Sequence, residues 1–263
     1  MGKIIAVTNE KGGVAKTTTT KNFAVGLARA GKKVLAVDLD PSASLTKSLG
    51  VVPDNNVGTI CGVFDKGIRG DDYPENYGII QHKEGIDIIA STSELNEYEI
   101  RLISACQREV ILRNFLYTLK DKYDYIVLDC AANLGIIVTN ALFCADAVII
   151  PVVPQFLSVE SMQNLFVTIS RIRKFNGTNT KPEIMGVLFT KVRANTNNAK
   201  NIMASLRSSY GDNIPVFNTV ITMAENLSEA DLARESIFTY APNSSSAMMH
   251  QDLVSEFLEI ETR

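Results

Sequence analysis

Cysteine and histidine are scarce in this chain. Four cysteines, at 61, 106, 130 and 144, show no Cys-x-x-Cys spacing, and only His82 and His250 could join them. That excludes a zinc-binding pattern or a disulfide framework and predicts buried, reduced thiols. Long apolar runs are also missing. The longest, residues 145 to 154, is interrupted by Asp146 and falls far short of the roughly 20 residues a membrane helix needs. The first predicted strand begins at residue 3, which leaves no room for a signal peptide, so a cytoplasmic protein with no membrane partner is expected. Neither sign of charge dominates: the formal net charge is −3. Its distribution is uneven, with eight basic residues against one acid between Arg171 and Arg207, and eight acids against two arginines from Glu225 onward. Such asymmetry suggests one basic and one acidic surface. No internal repeat, low-complexity tract or interdomain linker is visible, and 263 residues with 46% hydrophobic content suffice for one substantial core, so residues 1–263 are expected to form a single domain.

What the chain does have is concentrated in residues 9–20, Asn-Glu-Lys-Gly-Gly-Val-Ala-Lys-Thr-Thr-Thr-Thr. They lie between a β-branched run, Ile4 to Thr8, and a helical stretch, Asn22 to Ala30. A buried strand feeding a glycine turn and then a helix is the setting of a phosphate loop. Gly12 and Gly13 would let the backbone turn its amides toward phosphate oxygens at the positive end of the helix. Gly12, Gly13, Val14, Ala15, Lys16, Thr17 and Thr18 are therefore the expected nucleotide cradle. Lys16 would reach the β- and γ-phosphates, and the Thr17 hydroxyl would join the shell of a magnesium ion. The standard spacing would put glycine at positions 10 and 15, where Glu10 and Ala15 stand instead.

Further strands are predicted at Lys33–Asp38, Ile86–Ala90, Tyr123–Asp129, Ala147–Val153, Ile184–Thr190 and Val216–Ile221. Apolar positions 162, 165, 166, 169 and 172, and again 202, 203 and 206, recur at helical spacing. Alternating strands and helices predict an α/β fold, a mostly parallel twisted sheet with helices on both faces and ligands at the carboxyl ends of the strands. Residues 50–85, rich in turn signals, read as a surface excursion with one short helix near Ile60–Phe64. The second strand runs into Asp38 and Asp40, and Pro41 ends it there. The fourth runs through Tyr125-Ile126-Val127-Leu128 into Asp129, a hydrophobic strand closed by a candidate magnesium-holding acid. Phe189-Thr190-Lys191-Val192-Arg193 occupies the place where some GTPases read guanine. Arginine has no acceptor for guanine N1 and N2, so ATP is favoured. The adenine is expected between this strand end and Thr222 to Ala224.

The loop, with its leading Lys11, resembles the deviant Walker A motif of the ParA/MinD family of P-loop ATPases, and its ParA (Soj-like) branch in particular. The resemblance extends from the loop to Leu227-Ser228-Glu229-Ala230. It implies ATP and Mg2+ as ligands, with Lys11, Lys16, Asp40 and Asp129 catalytic and Thr17, Asp40 and Asp129 around the metal. It implies that Asp40 positions the attacking water, and that Lys11 reaches the phosphates of a partner subunit in an ATP-dependent homodimer. It further implies a ParB-like partner and nonspecific DNA binding. The chain departs from the family at four places. Ser42-Ala43-Ser44 replaces Gln-Gly-Asn after Asp40-Pro41, and Cys130-Ala131-Ala132-Asn133-Leu134-Gly135 lacks two prolines, which should loosen that loop. The stretches 194–197 and 222–226 lack the arginines with which Soj-like relatives contact DNA. Lys200 and Arg207, seven apart on one predicted helix, are the substitute candidates. An ATP-dependent adaptor that binds a protein partner without DNA is the alternative reading.

Overall fold

The computed structural model describes residues 2–54, 56–155, 158–175, 182–193, 197–210 and 214–262, without the side chains at 158–161, 175, 197–200, 209 and 210. Eight strands form one sheet: β1 (Lys3–Val7), β2 (Val34–Leu39), β3 (Ile79–Gln81), β4 (Asp87–Ile89), β5 (Tyr125–Cys130), β6 (Ala147–Val152), β7 (Glu183–Val192) and β8 (Val216–Thr222). Their spatial order is β3-β4-β2-β5-β1-β6-β7-β8, and every neighbouring pair is parallel except β3 with β4.

The continuous apolar runs have a direct cause. Ile4 and Ala6 of β1 face one buried cluster, while Ile5 and Val7 face another on the opposite side of the sheet. A strand covered on both faces has no solvent side on which polar residues could alternate. On the second face lie α1 (Lys16–Arg29), α2 (Ser44–Ser48), α9 (Glu225–Ala233), α10 (Ile237–Tyr240) and α11 (Ser245–Glu261), where Phe23 and Phe257 meet edge to face at 5.0 Å. On the first lie α3 (Ile60–Arg69), α4 (Leu95–Arg101), α5 (Ile111–Tyr117), α6 (Ile136–Cys144) and α7 (Ser158–Phe175), with Met162, Leu165, Ile169 and Ile172 buried as their spacing predicts.

Three expectations need correcting. Residues 50–85 are not only a surface excursion: α3 runs five residues beyond Phe64, buries Ile60, Val63 and Phe64, and is followed by the antiparallel edge strand β3. Turn residues at both ends of this segment hid an apolar core between them. The first helix starts at Lys16, not Asn22, because the threonine-rich turn, poor in helix propensity, is held by tertiary bonds. Cys106 is exposed, whereas Cys61, Cys130 and Cys144 are buried.

Candidate functional site

The β1 strand ends at Val7, and the chain turns at the carboxyl edge of the sheet into α1. Within the turn Gly13 (φ 72°) and Ala15 (φ 62°) both adopt left-handed backbone, alternating with ordinary residues. That alternation turns successive amides inward and makes a concave nest of donors at the N-terminus of α1. The absence of a Cβ lets Gly13 adopt this conformation without strain, whereas Gly12 does not sit at positive φ. Ala15 holds the left-handed position at a cost of about 1 kcal/mol, so the loop is held by its surroundings. One such restraint is the Thr190 hydroxyl at the end of β7, which donates to the Val14 carbonyl at 3.0 Å.

Two more strand ends converge on this loop. In register Asp129 of β5 lies beside Asp38 of β2 on one side and Val7 of β1 on the other. The Thr17 hydroxyl donates to Asp129 Oδ2 at 2.8 Å, and Thr20 donates to Oδ1 at 3.1 Å. Asp129 is fully buried, and burial together with the nearby Asp38 carboxylate pushes its pKa up. Asp38 is no partner for a ligand. Its carboxylate is enclosed and spent on the Thr46 amide and hydroxyl, at 2.9 and 2.7 Å, and on the Asp40 amide at 3.1 Å. Only Asp40 of the alternating pair therefore reaches the open edge, where Oδ1 accepts from the Ser42 amide at 2.8 Å. Lys16 is nearly enclosed. Its ammonium donates to the Lys11 carbonyl at 3.1 Å, and burial lowers its pKa against the opposing pull of Asp129 and Asp40. Lys11 itself, half-buried, donates to the Gln155 side chain at 3.1 Å. Cys130 is enclosed, and burial raises its thiol pKa, as expected of a small packing residue.

Among the described residues no three His, Cys, Asp or Glu side chains converge as a metal cage. A hydroxyl on a carboxylate beside a donor nest does fit magnesium, which prefers one or two protein oxygens plus phosphate oxygens and waters. Two cavities flank the loop. One of about 450 Å³ is lined by Lys11, Gly12, Gly13, Pro154, Lys191 and Arg193. The other, about 200 Å³, brings Ala15 and Thr18 together with Thr222, Ala224, Asp231 and His250. Lys191, at φ 49° where the β7–β8 register slips, borders both.

The structure thus gathers Gly12 to Thr18, Asp40, Asp129, Thr222 and Ala224 at one sheet edge. Of the basic candidates, only Arg207 can be placed. Lys200 falls on α8 (Asn197–Tyr210), but its side chain lies outside the described residues. Arg207 donates to the Phe217 carbonyl at 3.0 Å and Arg173 to Pro182, so two cations of the basic stretch close the chain's own backbone. Sequence reasoning missed Thr20, Thr190 and Lys21. The run of four threonines was a usable signal, since a hydroxyl row one turn into a helix beside a buried acid has a hydrogen-bonding purpose. Among the described residues no helix is long and apolar enough to cross a membrane.

Comparison with known proteins bears on this arrangement. A family model described as "AAA domain" matches residues 2–184. The sporulation initiation inhibitor protein Soj of Bacillus subtilis is 38% identical over 97% of this chain and 98% of its own length. Cobyrinic acid a,c-diamide synthase of Mycobacterium smegmatis, solved with an ATP analogue and magnesium, superposes with a TM-score of 0.82 at 26% identity, covering 100% of this chain and 96% of that one. A plasmid partition protein of Borrelia burgdorferi bound to AMPPNP does so at 0.81 and 25% identity, over 98% and 99%.

Proposed function

Since the chain belongs to the Soj-like branch of the ParA/MinD family of P-loop ATPases, we propose that it is a partition ATPase in which ATP drives dimerisation and hydrolysis releases it. The observation that carries this reading is the Thr17–Asp129 hydrogen bond, which joins the glycine loop to the acid of β5. In this reading residues 1–263 act as one unit. The amides of residues 12–18 and the Lys16 ammonium take up the phosphate charge of ATP. Thr17 and Asp129, with Asp40, would hold Mg2+, which would supply neutralisation of phosphate charge when bound. Asp40 orients the water that attacks the terminal phosphorus, and ADP and phosphate are the products.

Lys11 does a different task. Its ammonium reaches the γ-phosphate held by a second copy, a contact ADP cannot return, so the triphosphate favours the pair by the difference in affinity. Its bond to Gln155 is exposed to solvent, so exchanging that bond costs little. The paired form binds DNA without sequence preference, and a DNA-bound ParB-like protein stimulates its turnover, as in partition of a plasmid or chromosome. The test is Lys11→Ala: it binds ATP within about threefold of the unaltered protein but stays monomeric in gel filtration with ATP. A normal ATP dimer refutes the reading.

One observation favours a second reading, a nucleotide switch for a protein partner without DNA. Arg207 is engaged with the Phe217 carbonyl, and the stretches 194–197 and 222–226 carry no arginine. A salt-dependent shift of random duplex DNA in ATP, weakened by Lys200→Glu with Arg207→Glu, supports partition. No shift at low salt favours the switch.

A further inference from the structure

The backbone that carries Asp40 is gripped from a distant part of the chain. Ser91 follows β4 at the carboxyl end of the sheet, and none of its surface is exposed. Its hydroxyl donates to the Asp40 carbonyl at 2.9 Å, and its amide donates to the Thr46 hydroxyl at 3.0 Å. Thr46, in α2 and also enclosed, donates in turn to Asp38 Oδ2 at 2.7 Å. Asp38 Oδ1 accepts from the Asp40 amide at 3.1 Å, which brings the series back to the residue where it began. Asp38, Asp40, Thr46 and Ser91 thus form a closed ring of hydrogen bonds, every member buried except Asp40 itself.

The turn after Asp40 needs such a grip. Ala43 holds a left-handed φ of 52°, a conformation that residues with a Cβ rarely adopt, and Ser42 is exposed. Within the turn the Asp40 carbonyl also accepts from the Ala43 amide at 2.9 Å, and Asp40 Oδ1 accepts from the Ser42 amide at 2.8 Å. Those bonds are local, so they shape the turn without fixing its place on the sheet. The ring does that. It holds the peptide groups on both sides of the Asp40 Cα, the amide through Asp38 of β2 and the carbonyl through Ser91 beyond β4. Bonds in such a network reinforce one another, and loosening one loosens the rest.

We infer that Ser91 is a positioning residue for Asp40: by holding the Asp40 carbonyl, it keeps that carboxylate at the point from which it orients the attacking water. The inference rests on the reading above in which Asp40 has that task, and it adds how the fold keeps the group in place. Ser91 is fully enclosed, so it acts through the Asp40 backbone and meets no ligand. The enclosed Asp38 carboxylate gains a use as well, as the acceptor that joins Thr46 to Asp40. A shift of about 1 Å in a reacting group can slow a reaction about a hundredfold, so losing one of the two holds on this peptide is expected to cost about tenfold. The cradle of residues 12–18 takes no part in the ring, so ATP binding should not change.

The test measures phosphate release in a single turnover with Mg2+, beside ATP affinity by calorimetry, for Ser91→Ala, Asp40→Ala and the double variant, each checked for folding by its melting curve. Ser91→Ala should release phosphate about tenfold more slowly and bind ATP within about twofold of the unaltered protein. In the Asp40→Ala background the same change should alter the rate less than about twofold, because the group that Ser91 positions is already gone. A purely structural role would slow both backgrounds alike or weaken ATP binding. Thr46→Val opens the ring at a second bond and Thr46→Ser keeps it closed, so the first should be slow and the second should recover most of the rate. That pair carries the test if Ser91→Ala does not fold. Unchanged release in Ser91→Ala, or equal slowing with and without the Asp40 carboxylate, overturns the inference and leaves the ATPase reading standing. Asp40→Ala at the parent rate removes the role of the carboxylate and the inference with it, and no release by the unaltered protein overturns the ATPase reading as well.

Discussion

Removing the Asp231 carboxylate should unfold this protein more readily than its partly exposed position suggests. Its partner is Lys21, on the helix that leaves the phosphate loop, and the Lys21 side chain is almost entirely enclosed. The ammonium donates to Asp231 Oδ1 at 2.6 Å and to the Glu235 carbonyl at 2.6 Å. Breaking a buried pair from one side costs about 3–5 kcal/mol, because the remaining charge has lost its counter-ion without regaining water. Two features reduce that here. The Asp231 side chain is 38% exposed, so water screens part of the attraction, and Lys21 keeps its carbonyl acceptor. About 2–3 kcal/mol is the reasoned loss for Asp231→Ala. For a chain of this size each kcal/mol lowers Tm by about 2–4 °C, so the variant should melt about 4–12 °C lower. Replacing both partners, Lys21→Met with Asp231→Leu, should restore most of that, since no uncompensated charge is left inside. Circular dichroism melting of the ligand-free protein and both variants decides the matter. A melting point for Asp231→Ala within about 1 °C of the parent, or a double variant no better than the single, refutes the reasoning.

Other outcomes follow from particular contacts. A Cβ on Gly135 would come within 2.4–2.5 Å of the Glu99 carboxylate, which accepts from the Ile136 amide at the start of α6. The flexible carboxylate can swing aside and give up its bond to Ile136, so Gly135→Ala should cost about 0.5–1.5 kcal/mol, and in urea unfolding it should be less than additive with Glu99→Ala. His250, neutral and held near pKa 4 by burial, opposes folding in acid: the unfolded chain takes up a proton below about pH 6.5 and the folded one only near pH 4. On the order of 3 kcal/mol is lost across that window, and His250→Phe should show a flatter acid limb than the parent. Lys16→Ala should abolish the calorimetric signal of ATP binding, because it removes the nearly enclosed ammonium that the loop holds on the Lys11 carbonyl. Asp40→Ala should bind ATP and turn it over at least about tenfold more slowly in a phosphate-release assay; unchanged turnover removes this carboxylate from the chemistry.

All seven strands read from apolar runs are present; the central ones are buried on both faces and so must be apolar, a local constraint, while the edge strand β8 leaves Asn218 exposed. The phosphate loop was legible for a similar reason. A glycine turn between a strand and a helix marks its own place in the chain, although distant residues such as Thr190 hold its backbone, and Lys16, Thr17 and Asp129 follow at positions set by strand ends. The edge strand β3 was not legible, since three residues between turns carry too short a pattern.

What the chain alone determined is the sheet, the loop and the identity of the polar groups at the strand ends, all governed by neighbours within a few residues. What only tertiary structure decided is which of two alternating aspartates stays open. Asp38 and Asp40 look alike in sequence, yet the fold encloses one on Thr46 and leaves the other at the edge. The role of Lys21 arose likewise, from elements more than two hundred residues apart. A buried charge is defined by what surrounds it, and its surroundings exist only once the chain has folded.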